Sequence, residues 1–367
     1  MPDAPDAPDV AREEIFARWE LARSQIAQSL SQNLVLAFLG SASSGKDAAI
    51  RALFGIDFGQ IDPIPGSTER VRVAPLDPNR QVLVVNAPGF GDVRDTVDQA
   101  ARQILDEVDV AIYLVNADGG ATIDERRDLD AIRATGRPVL VCLNKIDLIR
   151  PHQREAFVKG TLAQLGVPPE MAVTTAFDPL PALSEAPIGI GPVVRWVHRT
   201  LSEQGKALLF AKQLRNKAEA CEPVIRAAAR KAAVAGSLPL PGADMAAITA
   251  IQVQMISDIA AIFDARIDKD VVLFIIGEAL AGTSKGFVRW AVSALKTAGW
   301  IPGGQVAELA VSALGATIAS AATYGVGRAA VAFMQGDLRM TGAQLREVFD
   351  TEALRYRSQI EPEGDGE

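Results

Sequence analysis

The first half of the chain alternates short apolar runs with segments of helical periodicity. Six runs have the length and composition of buried strands, and they cover residues 34–39, 70–75, 81–86, 109–115, 138–143 and 171–175. Helical patterns cover residues 47–54, 96–107, 122–135, 151–165 and 189–204. This alternation predicts an α/β domain over residues 32–205, built as a mostly parallel sheet with helices on both faces.

The second half of the chain loses the strand signal and becomes rich in alanine. Candidate helices cover residues 206–235, 242–264, 267–282, 285–298 and 303–335. They predict an all-α helical domain over residues 206–340, followed by a C-terminal helix and an acidic tail over residues 341–367.

The N-terminal segment has a separate character. Residues 1–9 form an acidic proline repeat, for which we expect disorder. Residues 10–31 place Ile15, Trp19 and Ala22 close to helical spacing. This pattern predicts an amphipathic helix that packs either on the α/β domain or on the C-terminal helices.

A glycine-rich loop directly follows the first predicted strand. Its residues are Gly40, Ser41, Ala42, Ser43, Ser44, Gly45 and Lys46. A strand, such a turn and a helix start place backbone N–H groups around a β-phosphate, with the amine of Lys46 within reach of the β/γ oxygens. A turn of small residues that contains Gly-Lys by accident is the alternative interpretation of this loop alone.

A second motif, Asn144-Lys145-Ile146-Asp147, closes the fifth predicted strand. The carboxylate of Asp147 can accept both the N1 and the N2 hydrogens of guanine, an edge that adenine does not offer. Asn144 and Lys145 can brace the loop and cover the ring. Because this motif lies downstream of the phosphate loop, the pair indicates a guanine-nucleotide site rather than two accidental matches.

Three further segments of the chain fit the same kind of site. Asn86 and Gly89 stand where a GTPase has Asp-x-x-Gly to sense the γ-phosphate, and Thr68 stands where a switch threonine meets magnesium. Thr175 and Ala176 match a small Ser-Ala loop whose backbone lies behind the guanine. The order of these pieces along the chain is hard to obtain by chance.

With these motifs, residues 34–201 resemble a Ras-like P-loop GTPase domain of the Era/TrmE type, in which Pro-Gly-hydrophobic follows the γ-phosphate sensor, here Pro88-Gly89-Phe90. Residues 207–340 are similar to the helical, membrane-associated domain of unknown function found in YcjF and fused to bacterial GTPases. That second resemblance depends mainly on residues 238–244 and the apolar helix after them.

The resemblance implies that GTP and GDP are the ligands, that Mg²⁺ is the cofactor and that the protein hydrolyses GTP. Lys46, Thr68 and Gly89 would serve catalysis, Gly89 through its backbone N–H. The phosphate loop through Asp47 would hold the phosphates. Asn144, Lys145, Asp147, Thr175 and Ala176 would hold the base.

Two positions depart from the GTPase pattern, and both concern the metal. Asp47 replaces the Ser or Thr hydroxyl that ligates Mg²⁺, and Asn86 replaces the carboxylate of the sensor motif. The two changes are reciprocal and keep the formal charge, so Asp47 could ligate Mg²⁺ directly, beside Thr68, with Asn86 bonding a coordinated water. A decayed metal site, in which the Asp47 charge repels the phosphates, is the alternative.

The expected rate of hydrolysis is low. Phe90 occupies the place of the glutamine that orients the attacking water in many GTPases, and a phenyl ring cannot orient water. Acceleration would need a partner, a second protomer or a mobile side chain such as Arg70, Arg72 or Arg94.

Composition excludes several classes of function. The 37 basic and 45 acidic residues give a net charge of −8, which argues against nucleic acid as the main partner. Two cysteines and two histidines cannot form a disulfide framework or a zinc site, so we expect Cys142 and Cys221 to serve packing or to lie at the surface. The acidic N-terminus does not have the pattern of a secretion signal, and we expect a cytoplasmic protein.

Membrane association depends on the helical domain. Residues 309–327 are uncharged but rich in Ala, Ser, Thr and Gly, which allows either a soluble bundle or peripheral or integral association with the inner membrane. Trp290 and Trp300 could be interfacial anchors or core residues. The sequence therefore predicts a slow GTP-binding switch whose helical domain meets a membrane lipid or a second copy of the chain, with a pseudo-GTPase scaffold as the alternative.

Overall fold

The computed structural model of the protein describes residues 9–41, 43–57, 72–87, 107–237, 243–281 and 304–360. The chain divides into two compact units. Residues Ser29–Glu219 form the sheet unit, and Met1–Gln28 together with Ala220–Glu367 form the helical unit. The N-terminal helix α1 (Asp9–Leu30) therefore belongs almost entirely with the C-terminal helices.

The sheet unit is built on six strands in the order β2-β3-β1-β4-β5-β6. Their bounds are β1 (Leu34–Leu39), β2 (Arg72–Pro75), β3 (Val82–Asn86), β4 (Val110–Asn116), β5 (Val139–Asn144) and β6 (Ala172–Thr174). Only the edge strand β2 runs antiparallel to its neighbour, while the other pairings are parallel. The prediction of a mostly parallel sheet is confirmed.

Helices cover both faces of this sheet. Those of the sheet unit are α2 (Lys46–Phe54), α3 (Ile123–Ala134), α4 (Arg154–Leu165), α5 (Ile190–Glu203) and α6 (Ala207–Gln213). Leu129 of α3 and Leu162 of α4 share one buried cluster with Tyr113 of β4. On the opposite face Phe54 of α2 lies edge-on between Phe38 and Phe210, with ring centroids 6.1 and 6.2 Å away. Alternate side chains of each strand thus enter different cores.

The helical unit has no strand among its described residues. Besides α1 it contains α7 (Lys217–Gly236, which starts in the sheet unit), α8 (Ala243–Ile262), α9 (Lys269–Ala281), α10 (Gly304–Gln335) and α11 (Gly342–Ile360). The long helix α10 packs against α8, α9 and α11. It also crosses α7 closely, because a Cβ added at Gly315 would lie 2.4 Å from the carbonyl oxygen of Gly236.

Buried polar side chains tie α7, α10 and α11 together. The Tyr324 hydroxyl donates to both carboxylate oxygens of Glu222, at 3.1 and 3.2 Å. The Tyr324 ring stacks on that of Tyr356 at 4.2 Å, and the Arg226 guanidinium lies over both rings. Elsewhere in the unit, the amine of Lys269 lies 4.1 Å from the ring centroid of Phe16 in α1. This contact joins α1 to the start of α9.

The structure corrects one predicted helix. Residues 206–235 were expected to form one segment, but the chain breaks between α6 and α7. Leu214 is extended, the Arg215 N–H donates to the Leu53 carbonyl at 2.8 Å, and the Asn216 side chain accepts from Glu219 N–H as a cap. A backbone bond to α2 and a local cap therefore outweigh helix continuity. The predicted helix at 285–298 and most of that at 96–107 lie outside the described residues.

Membrane spanning can be assessed only for the described part of the chain. Within it, no helix combines the length and the apolar character that crossing a bilayer requires. The uncharged stretch at 309–327 lies in α10, where Ala321, Tyr324 and Val326 are buried within the helical unit. Trp290 and Trp300 lie outside the described residues.

Candidate functional site

The glycine-rich loop joins β1 to α2 at the carboxyl edge of the sheet. Gly40 has φ 137° and Gly45 has φ 97°, a backbone region that disfavours side chains. A Cβ at Gly40 would lie 2.3 Å from the Leu114 carbonyl oxygen, and one at Gly45 would lie 2.2 Å from Nδ2 of Asn144. Both glycines are therefore required by close approach as well as by conformation.

Lys46, the first residue of α2, closes this loop. Its amine donates to the carbonyl oxygens of Gly40 and Ser41, both at 2.8 Å. The side chain thus lies across the loop, while the first N–H groups of α2 lack intrahelical partners. A helix start with a lysine amine above it attracts anions, so the arrangement suits a phosphate group.

Asn144, the last residue of β5, joins the phosphate loop to the base motif. It is 2% exposed. Its Nδ2 donates to the Ser44 carbonyl at 2.8 Å, and its Oδ1 accepts from the Thr175 hydroxyl and the Phe177 N–H, both at 3.2 Å. Three loops that are far apart in the sequence are therefore held by one amide.

The rest of the base motif turns tightly after Asn144. Lys145 has φ 63° and starts a short 3₁₀ turn. The Ile146 N–H donates to the Thr175 carbonyl at 3.0 Å. Asp147 is 8% exposed, and its Oδ2 accepts from the Leu180 N–H at 3.2 Å. The Asp147 carboxylate, which is predicted to read the base, is therefore held from the loop that follows β6.

These elements line a single cleft of about 330 Å³. Its lining residues are Ser43, Gly45, Lys46, Asp47, Ala48, Asn144, Lys145, Ala176, Phe177 and Asp178. The phosphate loop and the base motif, predicted separately, thus meet in one site. The predicted site residues Ser44, Asp147, Thr175 and Asn86 are buried, and none of them is among the lining residues. Gly40 and Ser41 are not among them either.

Three lining residues were not predicted from the sequence. Ala48 follows from the path of α2, and Phe177 and Asp178 follow directly after the predicted Thr175-Ala176 pair. The Asp178 carboxylate accepts from the Arg51 guanidinium of α2 at 2.9 Å, in a solvent-exposed pair. The proximity of Phe177 and Asp178 to that predicted pair was the available signal.

Asp47 and Asn86, the two residues that depart from the GTPase pattern at the predicted metal site (the metal end of the cleft), contact each other. The Asn86 amide, at the end of β3, donates to Oδ1 of Asp47 at 2.5 Å. Asp47 is exposed and Asn86 is buried. An exposed carboxylate that lines the cleft beside Lys46 is the hard oxygen ligand that Mg²⁺ prefers, so these residues fit the ion.

A dedicated cluster of protein ligands is absent among the described residues, since no group of three or more His, Cys, Asp or Glu side chains could hold a metal. Nucleotide-bound Mg²⁺ commonly uses one or two carboxylates with phosphate and water oxygens, so this finding agrees with the fit at Asp47.

Several predicted site residues lie outside the described residues. They are Ala42, Thr68 and Gly89, together with the neighbouring Phe90, Arg70 and Arg94. Arg72 is described and lies exposed in β2. The predicted roles of all these residues stay predictions.

The cysteines belong to the cores. Cys142 and Cys221 are both buried thiols. Burial raises the pKa of the Cys142 thiol well above its usual range, so this side chain stays protonated beside the base motif. Of the two expected places, the packed interior and the surface, this geometry agrees with the packed interior.

Comparison with known proteins identifies the sheet unit. The family described as "50S ribosome-binding GTPase" matches residues 35–145. The GTPase Era of Aquifex aeolicus is 30% identical over 126 residues, which are 32% of this chain and 42% of Era. Residues 35–145 are therefore similar to the GTPase domain of Era and its relatives. The probable GTP-binding protein EngB of Gemmatimonas aurantiaca is 24% identical over 148 residues, 38% of this chain and 72% of EngB.

The helical unit is matched by a different family, the domain of unknown function DUF697, over residues 198–352. The resemblance to an Era-type GTPase fused to a helical domain is thereby confirmed. The chain spans less than half of the length of Aquifex aeolicus Era and of a Geobacillus GTPase Der, at 42% and 38%.

Two solved structures also match part of this chain. A probable GTP-binding protein EngB matches with a TM-score of 0.32 and 18% identity, covering 46% of this chain and 99% of that one. Aquifex aeolicus Era bound to GDP and AlF4 matches with a TM-score of 0.31 and 18% identity, covering 47% and 67%.

Proposed function

We propose that this protein is a GTP-binding switch that hydrolyses GTP slowly on its own, and whose nucleotide state controls the helical unit. The observation that carries the proposal is the bridge made by Asn144 between the phosphate loop and the base motif. Because one buried amide bonds to both loops, the bridge fixes the two halves of the proposed nucleotide site relative to each other.

Each end of the cleft suits one part of GTP. Lys46 and the phosphate-loop N–H groups hold the β- and γ-phosphates. Asp147 accepts from the guanine edge, Lys145 covers the ring, and Thr175 and Ala176 lie behind it. An adenine base presents an acceptor and no amine at the corresponding edge. Binding adenine would leave the buried Asp147 carboxylate without a partner, so adenine is disfavoured.

The metal end takes Mg²⁺ through Asp47 and Thr68, with Asn86 holding a coordinated water. The ion supplies charge neutralisation of the phosphates. The Asn86–Asp47 bond supports this assignment because it aims the carboxylate and keeps it within the cleft. The chain's own residues then orient the γ-phosphate, with the Gly89 N–H as its sensor.

Hydrolysis without a partner is slow because Phe90 stands where an orienting glutamine is expected. Multiple-turnover phosphate release by purified protein tests this. We expect slow release that rises with protein concentration if a second copy supplies the missing group. Rapid, concentration-independent turnover would contradict the assignment of Phe90.

A second candidate is a pseudo-GTPase scaffold that binds nucleotide without hydrolysing it. The two departures from the GTPase pattern favour it, since Asp47 replaces the usual Ser or Thr hydroxyl and Asn86 replaces the usual carboxylate. The two candidates differ in phosphate release, because a scaffold releases none at any protein or Mg²⁺ concentration.

The partner of the helical unit is proposed to be a lipid surface or a second copy of the chain. Co-sedimentation with liposomes and sedimentation velocity, each with GDP and with a non-hydrolysable GTP analogue, separate the two. A solved Era structure contains 16S ribosomal RNA, but the net charge of −8 argues against RNA as the main partner here.

A further inference from the structure

The carboxylate of Asp147 is held by a backbone group rather than by a side chain. The Leu180 N–H donates to its Oδ2 at 3.2 Å. The Leu180 side chain is 54% exposed, whereas Asp147 is 8% exposed. The contact with Asp147 is therefore made by the backbone N–H of Leu180 and not by its side chain.

The sequence around Leu180 isolates this N–H group. Leu180 lies between Pro179 and Pro181, which have no N–H and whose rings fix φ. The segment Pro-Leu-Pro therefore offers one donor on a stiff backbone. The residue before a proline is also restricted to extended conformations, so Leu180 itself has little freedom.

The loop that carries Leu180 is closed at both ends. Ala176 and Ile188 exchange backbone hydrogen bonds of 3.0 and 2.9 Å at its base. At its tip the Leu180 carbonyl accepts from the N–H groups of Leu183 and Ser184, at 2.8 and 3.1 Å. These two bonds to the Leu180 carbonyl hold the residue in place, and with it the N–H that donates to Asp147.

A fixed carboxylate plane matters for reading guanine. The torsion that rotates an aspartate carboxylate is broad and weakly restrained. Accepting two neighbouring hydrogens of one base requires both oxygens to lie in the plane of that base. A carboxylate has about four acceptor sites, so the bond to Leu180 fixes the plane of Asp147 and leaves acceptor sites for the base.

We propose that the backbone N–H of Leu180 is a positioning group for guanine selectivity, which orients the Asp147 carboxylate towards the amine of the base. This inference rests on the proposed function, since it assigns a role within the GTP site. The proposal extends the base site to the loop after β6. At Leu180 of this loop the backbone N–H is required, whereas the side chain can be replaced.

The test compares GTP with ITP, whose base lacks the 2-amino group. Leu180→Pro removes the N–H, and Leu180→Ala keeps it while removing the side chain. Leu183→Ala is a matched control, because Leu183 is also 54% exposed in the same loop. Replacing Leu180 by its α-hydroxy acid analogue changes only the N–H to an ester oxygen, and it decides the matter if the proline variant does not fold.

We expect Leu180→Pro and the ester variant to lose about tenfold in GTP affinity, as for one hydrogen bond to a charged group. ITP affinity should change less, so the preference for GTP over ITP falls. Both alanine variants should keep the native preference. Thermal unfolding without nucleotide checks that each variant is folded.

An unchanged GTP-to-ITP preference in a folded ester variant would overturn the role of Leu180 alone. A parallel loss for GTP and ITP would also overturn it, since that result indicates general damage to the site. A native protein that binds ATP as tightly as GTP would overturn the proposed function and this inference together.

Discussion

Replacing Asn144 by alanine should damage the nucleotide site and the stability of the sheet unit together. The substitution removes one donated and two accepted hydrogen bonds at a side chain that is 2% exposed. At about 1 kcal/mol net for each bond, the free energy of unfolding should fall by about 3 kcal/mol. The Phe177 N–H and the Ser44 carbonyl lose this partner, so the estimate is a lower bound.

Asn116 provides a matched control. It is the register partner of Asn144 in the neighbouring strand, but its Oδ1 accepts only at the surface, from the Asp118 N–H at 3.1 Å. Asn116→Ala should cost less than about 1 kcal/mol. Asn144→Asp should be at least as harmful as Asn144→Ala, because it sets a buried carboxylate against the Ser44 carbonyl.

Native-state hydrogen exchange at the amides of β1 and β5 is the suitable assay. The two units can unfold separately, so a single melting temperature would mix them. GTP affinity should fall in parallel with the protection of β1 and β5. If Asn144→Ala behaves like Asn116→Ala in both measurements, the bridge does not hold the site together.

Three further changes test other parts of the account. Asp47→Ser and Asn86→Asp should each disturb the Mg²⁺ dependence of GTP binding, and the double variant should restore it. If a titration with GTP shows that the losses of affinity in the two single variants add in the double variant, the metal site has decayed. Burial raises the pKa of Asp258 to about 6, so its contribution to stability is complete below about pH 4 and is lost as the pH rises through 6. Asp258→Asn should therefore stabilise the helical unit at pH 8 by at most about 3 kcal/mol, with no gain at pH 4 in urea unfolding. Gly315→Ala should destabilise α10 by about 1–3 kcal/mol through overlap with α7. Gly160→Ala, which meets no atom within 4 Å, should instead stabilise α4 by about 0.5–1 kcal/mol. Equal changes in hydrogen exchange at the amides of α10 and α4 would contradict the close helix crossing.

The parts of the site that the sequence predicted are those encoded by consecutive residues. The phosphate loop and the base motif set their own backbone conformations through glycine and short polar side chains. Their position at strand ends followed from the apolar run before each one. The strands were therefore predicted to within about two residues, which is the usual precision for strongly apolar runs.

Long-range contacts could not be predicted from the sequence. The bond from Asn144 to Ser44 joins residues 100 positions apart, and its existence depends on where β5 lies relative to β1. The Leu180–Asp147 bond depends on the path of an irregular loop. Periodicity also described α1 as amphipathic without showing which helices would cover Ile15 and Trp19.

The break between α6 and α7 shows how tertiary contacts override local preference. Residues 206–235 have continuous helical character, yet the Arg215 N–H bonds to α2. Asn216 is a capping residue type, so the start of α7 had a signal in the sequence. The end of α6 had none, because its cause is a backbone acceptor in a distant helix.

The most direct test of the account is the equilibrium affinity of the full chain for labelled GTP and labelled ATP, measured with Mg²⁺ and with EDTA. The account predicts that GTP binds at least about 100-fold more tightly than ATP, because adenine would leave the Asp147 carboxylate unpaired. It also predicts that Mg²⁺ tightens GTP binding. Equal affinity for the two nucleotides would contradict the central claim.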